Sequence, residues 1–350
     1  MRLSAYYRKL KYKDNESGKE IDLGEKFAPF RPHDPLNYAQ FIIFGLFLFP
    51  IKGILSLLIC IFLSIQLKIL KYKYKHLDTD PKESKIRANA IKFWSSIFLM
   101  INGISAKKEE LKYEEVYKKY LGPDYDFKQK KYSLIISNHI GYFDVILNMS
   151  VFGCGFLAMK MITCVPIGGA IAADIGSIFV ERLSEFSRKE TFDDLMKRQK
   201  DFYEGKLVND IVVFPEGTTS NNRYVVKFKQ GAFRSLLPLK PMIIHIDKKA
   251  SYHLCSNVTN LFFHVLRCFT TIKNTLYYCQ LPIIKPTQYM YDNYSHLGKE
   301  KWDIYSSVVK NMYAEIGGFK QSELGHRDKD IYYDALETCV YNGQKLMYKE

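Results

Sequence analysis

Hydrophobic and polar positions alternate along this chain in two distinct regimes. Between residues 39 and 66 the run AQFIIFGLFLFPIKGILSLLICIFLSIQ is almost unbroken apolar sequence, with Lys52 its one charge. A bilayer-spanning helix needs about 20 such residues, so the stretch is long enough. Its middle, however, reads Pro50-Ile51-Lys52-Gly53. Proline removes a helical hydrogen bond, and a lysine at mid-bilayer costs about 2.5 kcal/mol or more on insertion scales. The pattern therefore predicts a membrane-embedded helical hairpin rather than one straight span, with Lys52 paired or snorkelling.

The segment behind it, LKILKYKYKH, carries Lys68, Lys71, Lys73 and Lys75. A cluster of this kind prefers the cytosolic face and anionic headgroups, which puts the bulk of the chain in the cytosol. The next stretch, IRANAIKFWSSIFLMINGI at 86–104, has apolar residues at helical spacing. That spacing suits either an interfacial helix or one packed on a core.

From residue 130 the period changes. Short apolar runs at 133–137 (SLIIS), 176–181 (GSIFVE), 210–217 (DIVVFPEG) and 242–247 (MIIHID) read as buried strands, and 275–286 (TLYYCQLPIIKP) as a last one. The charged stretch 188–205 reads as a helix closing at Gly205. In 302–318, Trp302, Tyr305, Val309, Met312 and Ile316 share one face ahead of two glycines, which predicts a packed helix. Strands alternating with helices give an α/β class, a mixed sheet with flanking helices behind the membrane hairpin. The expected organisation is a mobile basic arm over 1–35, the hairpin and its basic flank over 36–78, a catalytic domain over 79–290 and a helical extension over 291–350.

Composition sharpens this picture in three respects. Lys and Arg outnumber Asp and Glu 51 to 37, a formal charge of +14 that favours polyanions or an anionic membrane surface. The charge flanks apolar segments and no nucleic-acid motif accompanies it, so membrane lipids rather than nucleic acid are the expected partner. Seven cysteines at wide spacings, with no CxxC pair, predict neither a metal site nor a disulfide framework but reduced, mostly buried thiols.

Candidate chemistry begins at SNHIGYFDVI, where His139 and Asp144 follow a strand end. If the chain turns into a helix there, the carboxylate returns to the imidazole, fixes its tautomer and prepares His139 to act as a general base on a hydroxyl. Alone, H-x4-D is a weak pattern. It is followed by Gly176, Phe179 and Arg182 as G-x-x-F-x-x-R, then by Phe214, Pro215, Glu216, Gly217 and Thr218 as F-P-E-G-T, then by Leu237 to Pro241.

Taken together these blocks resemble the PlsC-like phospholipid/glycerol acyltransferase superfamily, whose motifs are N-H-x4-D, G-x-x-F-x-x-R, F-P-E-G-T and a proline-containing strand entry. The match covers roughly residues 130–250, with Asn138 completing the first motif. The segment after F-P-E-G-T, where Phe228, Lys229, Gly231, Ala232 and Phe233 form F-K-x-G-A-F, is similar to the lysophosphatidylcholine and lysophosphatidylethanolamine acyltransferases, as is FPIKG in the apolar run.

The resemblance implies a glycerolipid acyltransferase fold and transfer of a fatty acyl group from acyl-CoA, a co-substrate with no further cofactor, to a lysophospholipid or related glycerophosphate acceptor. It implies His139 as base, oriented by Asp144, and Arg182 on the acceptor phosphate. Asn138, Gly176, Phe179, Phe214, Pro215, Glu216, Gly217 and Thr218 would line the substrate site, with Lys160 and Lys229 as further candidates. It implies an integral membrane enzyme of the endoplasmic reticulum with a cytosolic catalytic domain. Three alternatives stay open: a lysophosphatidate or glycerol-3-phosphate acceptor, a CoA-independent transacylase, and an inactive lipid-binding scaffold.

Overall fold

A computed structural model describes residues 11–13, 20–22, 35–181, 185–246, 268–269, 272–325 and 328–329, with residues 11–13, 20–22, 35–46 and 185–190 described by backbone alone. In the arm expected over 1–35, β1 (Lys11–Lys13) pairs antiparallel with β2 (Glu20–Asp22).

Helix α1 runs from Pro35 to Lys73 without turning back at Pro50. The hairpin expected inside 39–66 is instead made with a second helix, α2 (Pro81–Ile101). Asp80 starts α2 by accepting from the Lys82 and Glu83 amides at 2.7 and 3.0 Å, with Pro81 at the first helical position, where a missing N–H costs nothing. The two helices lie antiparallel: Gln66 meets Trp94, and Ser56 meets Asn102. Lys52 is buried in this seam and donates to the Asn102 carbonyl at 3.3 Å, just past the end of α2. A cation at a helix C-terminus is favoured by the exposed carbonyl dipoles, so Lys52 has a partner without snorkelling.

The sheet consists of seven strands in the order β3-β10-β9-β4-β7-β5-β6. Its members are β3 (Ile104–Lys108), β4 (Leu134–Ser137), β5 (Gly155–Met159), β6 (Ile178–Val180), β7 (Ile211–Val213), β9 (Leu239–Ile246) and β10 (Asn274–Gln280). Strands β9, β4, β7, β5 and β6 are mutually parallel, while β10 runs against β9 and carries β3 beside it. A separate short pair joins β8 (Tyr224–Val225) to β11 (Lys320–Gln321).

Side chains alternate across the strands, so each central strand feeds two cores. Leu134, Ile136, Ile211, Val213 and Ile243 face one side, with α3 (Glu114–Leu121) and α8 (Lys301–Gly317). Ile135, Val212, Met242 and Ile244 face the other, with α1, α2 and α4 (Tyr142–Phe152). Both readings of 86–104 are therefore partly met. Ile91 and Leu99 of α2 are buried against the domain, while Phe93 and Met100 are exposed.

The smaller helices are α5 (Gly168–Asp174), α6 (Glu185–Tyr203) and α7 (Gln288–Asn293). Helix α8 differs from the expectation of an extension beginning at 291. Tyr305, Val308, Val309, Met312 and Tyr313 are fully buried in the main core, and the Tyr313 hydroxyl donates to the Ile136 carbonyl at 2.9 Å. Sequence periodicity shows that a helix has an apolar face, but not which core receives it.

Candidate active site

The parallel strands present their carboxyl ends along one edge, the usual place for ligands in open α/β sheets. Asn138 and His139 follow β4, Phe214 follows β7, Lys160 follows β5 and Glu181 follows β6. At the end of β4 the chain turns through Gly141 into α4. Asp144 occupies the third position of that helix and reaches back, its Oδ2 accepting the Gly141 amide at 3.0 Å and the Ile140 amide. This is half of a capping box, since Gly141 has no side chain to return the bond.

The same oxygen lies 2.9 Å from His139 Nδ1. With two amides and the ring converging on Oδ2, the carboxylate acts only as an acceptor, so Nδ1 carries the hydrogen and Nε2 the lone pair. Nε2 has no hydrogen-bond partner among the described residues, and the ring is 21% exposed while Asp144 is fully buried. Phe214 stacks on the imidazole, centroids 4.1 Å apart and planes 17° from parallel, and Phe156 of β5 stacks behind it at 6.0 Å. The aromatic column sets the plane of the ring and shields one of its faces.

Glu216 is fully buried directly behind His139. Its two oxygens accept the His139 amide at 2.9 Å and the Val226 amide at 3.4 Å. Burial pushes its carboxyl up to about 8, with the two amides pulling the other way. The Ser220 amide donates to the His139 carbonyl at 2.8 Å, so both backbone groups of His139 are held by the loop that carries Glu216. Glu216, expected to line the substrate site, is instead buried with its oxygens bonded to protein backbone.

Gly217 turns the loop at φ +61, donating to the Phe214 carbonyl at 3.0 Å. A Cβ there would lie 2.6 Å from Lys229 Cε, so the lysine stem covers the turn. The Pro215 carbonyl accepts the Lys229 amide at 2.7 Å, tying the two segments together. Thr218 is half-buried beside them.

The remaining candidates lie further along the edge or are otherwise engaged. Asn138 is buried, and its amide both donates to the Ile244 carbonyl at 2.9 Å and accepts the Ile244 amide at 2.7 Å. It splices β9 to the end of β4 and is buried there, a correction to its expected place lining the substrate site. Gly176, at φ +80, sits where a Cβ would meet the Asn209 side chain, and Phe179 pairs with Ala158 across β5 and β6. Lys160 is exposed and paired with Glu181 at 2.8 Å. Arg182 lies outside the described residues.

Sequence reasoning passed over Phe156, Ser220, Asn222 and Lys329. The Asn222 amide donates to the Ile244 carbonyl and accepts the Ile246 amide, both at 2.9 Å, a second splice to β9. Lys329 is buried and donates to the Thr219 carbonyl at 2.9 Å. The asparagine run after F-P-E-G-T is a usable signal for Asn222; nothing local to residue 329 points to Lys329.

The acyltransferase family profile matches residues 110–246. The lysophospholipid acyltransferase LPEAT1 of Arabidopsis thaliana is 29% identical over 219 residues, 62% of this chain and 52% of that protein. LPEAT2 of the same plant is 26% identical over 170 residues, 48% of this chain and 30% of that protein. Human lysophosphatidylcholine acyltransferase 1 is 31% identical over 118 residues, 33% of this chain and 21% of that protein. The chain thus spans about half or less of the length of the relatives it matches.

Proposed function

We propose, from the match of residues 110–246 to the acyltransferase family profile, that this chain is a membrane-bound, acyl-CoA-dependent acyltransferase that esterifies the free hydroxyl of a lysophospholipid. The supporting observation is the His139–Asp144 pair at the carboxyl edge of the sheet, with Nε2 directed away from its anchoring carboxylate. In the proposed step Nε2 takes the acceptor hydroxyl proton as that oxygen attacks the thioester carbonyl. The tetrahedral intermediate collapses by breaking the C–S bond, and the imidazolium returns the proton to the departing thiolate. Asp144 stabilises the imidazolium between these events. A thioester is already activated, so no covalent acyl-enzyme is required. Arg182 is proposed to bind the acceptor phosphate, for which a guanidinium fork is suited.

Lysophosphatidylcholine or lysophosphatidylethanolamine is the favoured acceptor class, on the names of the relatives and on the F-K-x-G-A-F segment. A membrane location rests on α1, whose Phe47–Lys73 portion is long and apolar enough to cross a bilayer by length and composition. The endoplasmic reticulum, with the sheet domain in the cytosol, fits the basic flank and the need for acyl-CoA.

The test is labelled oleoyl-CoA with detergent-purified protein and four acceptors in parallel: lysophosphatidylcholine, lysophosphatidylethanolamine, lysophosphatidate and glycerol-3-phosphate. Product from either of the first two, lost in His139→Ala, is the expected result. Product from the last two alone would move the enzyme to de novo glycerolipid synthesis. Product independent of His139 would refute the base, and none from any acceptor would refute the activity.

A further inference from the structure

We propose that residues 159–167, the end of β5 and its connection to α5, form a strap that seats in the interface of an anionic bilayer at the rim of the candidate active site. Its sequence, MKMITCVPI, contains no acidic residue. It exposes apolar side chains: Met161 is 70% exposed, Val165 50% and Met159 41%.

The strap is firmly built. Thr163 Oγ1 donates to the Lys160 carbonyl at 2.7 Å, and the Val165 amide to the Ile162 carbonyl at 3.0 Å. The Gly169 amide donates to the Val165 carbonyl at 2.8 Å, and a Cβ on Gly169 would lie 2.6 Å from the Thr163 carbonyl oxygen. Ile167 holds φ +62, a conformation that is an outlier for a β-branched residue.

The bilayer is the indicated occupant because the strap continues into a helix packed on α1, whose Phe47–Lys73 portion is long and apolar enough to cross one. Helix α5 packs on α1, and Asp174 at its end pairs with Lys71 at 3.3 Å. Seven residues of helix span about 10 Å, so the strap lies near the basic end of α1, at headgroup depth for a helix inserted from that end. On α1 itself Phe62, Ile65 and Ile69 are exposed. Lys160 and Lys71 are paired with Glu181 and Asp174, so it is the exposed Lys68, Lys73 and Lys75 at the basic end of α1 that suit anionic lipid. Immersion of the strap rests on the membrane location proposed for α1, while only the description of the neighbouring site rests on the acyl-transfer reading.

Cys164 is exposed at the strap's centre and supplies the probe. In a Cys60→Ser, Cys255→Ser, Cys339→Ser background, the full chain would be labelled at Cys164 with an environment-sensitive fluorophore. It would then be reconstituted in phosphatidylcholine–phosphatidylserine vesicles. The expected result is emission quenched several-fold more by doxyl-labelled lipid than by aqueous iodide, with the preference reversed in Met161→Glu/Val165→Glu protein of unchanged melting temperature. Quenching by iodide alone would overturn the proposal. So would shielding from both quenchers, which would mean a protein covers the strap. Lipid quenching in a parent protein that acylates no acceptor would uphold the strap and count against the enzymatic reading.

Discussion

Replacing Asp144 by Asn separates what the carboxylate does for structure from what its charge does for chemistry. Oδ2 accepts three donors, whereas Oδ1 is buried without a partner among the described residues. An asparagine can therefore set its carbonyl oxygen in the Oδ2 position and its NH2 in the Oδ1 position. The Ile140 and Gly141 amides oppose the flipped arrangement, so the His139 tautomer survives. One unpaired buried donor then replaces one unpaired buried acceptor, a change of about 1 kcal/mol, or a melting shift of a few degrees. The charge is a different matter. It lies about 4 Å from the centre of the imidazolium formed in the transition state, an attraction of about 4 kcal/mol at an effective dielectric near 20. At 1.36 kcal/mol per decade that corresponds to a fall in kcat of about a thousandfold. The assay is initial-rate acyl transfer at saturating acceptor, with a thermal melt on the same preparation. A kcat within tenfold of the parent, at unchanged melting temperature, would refute the charge-stabilisation reasoning.

Three further outcomes follow from the same geometry. Glu216 has its carboxyl raised from 4.5 to about 8, so the stability it contributes is full below about 4.5 and is lost as pH rises through 8. The melting temperature of the parent should thus fall relative to Glu216→Gln between pH 5 and 8, and parallel curves would contradict the burial argument. Gly217→Ala should cost about 1 kcal/mol from its positive φ, plus a steric part against Lys229 that Lys229→Ala relieves; additive melting shifts in the double variant would show no contact. Tyr313→Phe should lose about 1–2 kcal/mol by leaving the Ile136 carbonyl without its hydroxyl, with acyl transfer per folded molecule unchanged; an unaltered melt would remove that bond from the account.

Much of this protein is written in local pattern. The runs at 134–137 and 242–246 are strands because continuous β-branched and aliphatic residues suit a parallel sheet covered on both faces. The pairing of His139 with Asp144 was legible because one helical turn brings position three back over the chain entering the helix, a purely local geometry. The family motifs at 176–182 and 214–218 were legible as well, as resemblance.

Whatever depends on which distant groups meet had to wait for the fold. Lys52 looked like a lone charge in an apolar run until α2 folded back and set the Asn102 carbonyl against it. Asn138 and Glu216 carried polar side chains that suited a substrate equally well. Only the approach of β9 and of the 214–226 loop showed those side chains bonded to backbone. Helix α8 and Lys329 lie far along the chain from the site they support. Residue spacing encodes direction over one turn of helix or one pleat of strand; beyond that, contact is decided by how whole faces pack, and no local pattern specifies it.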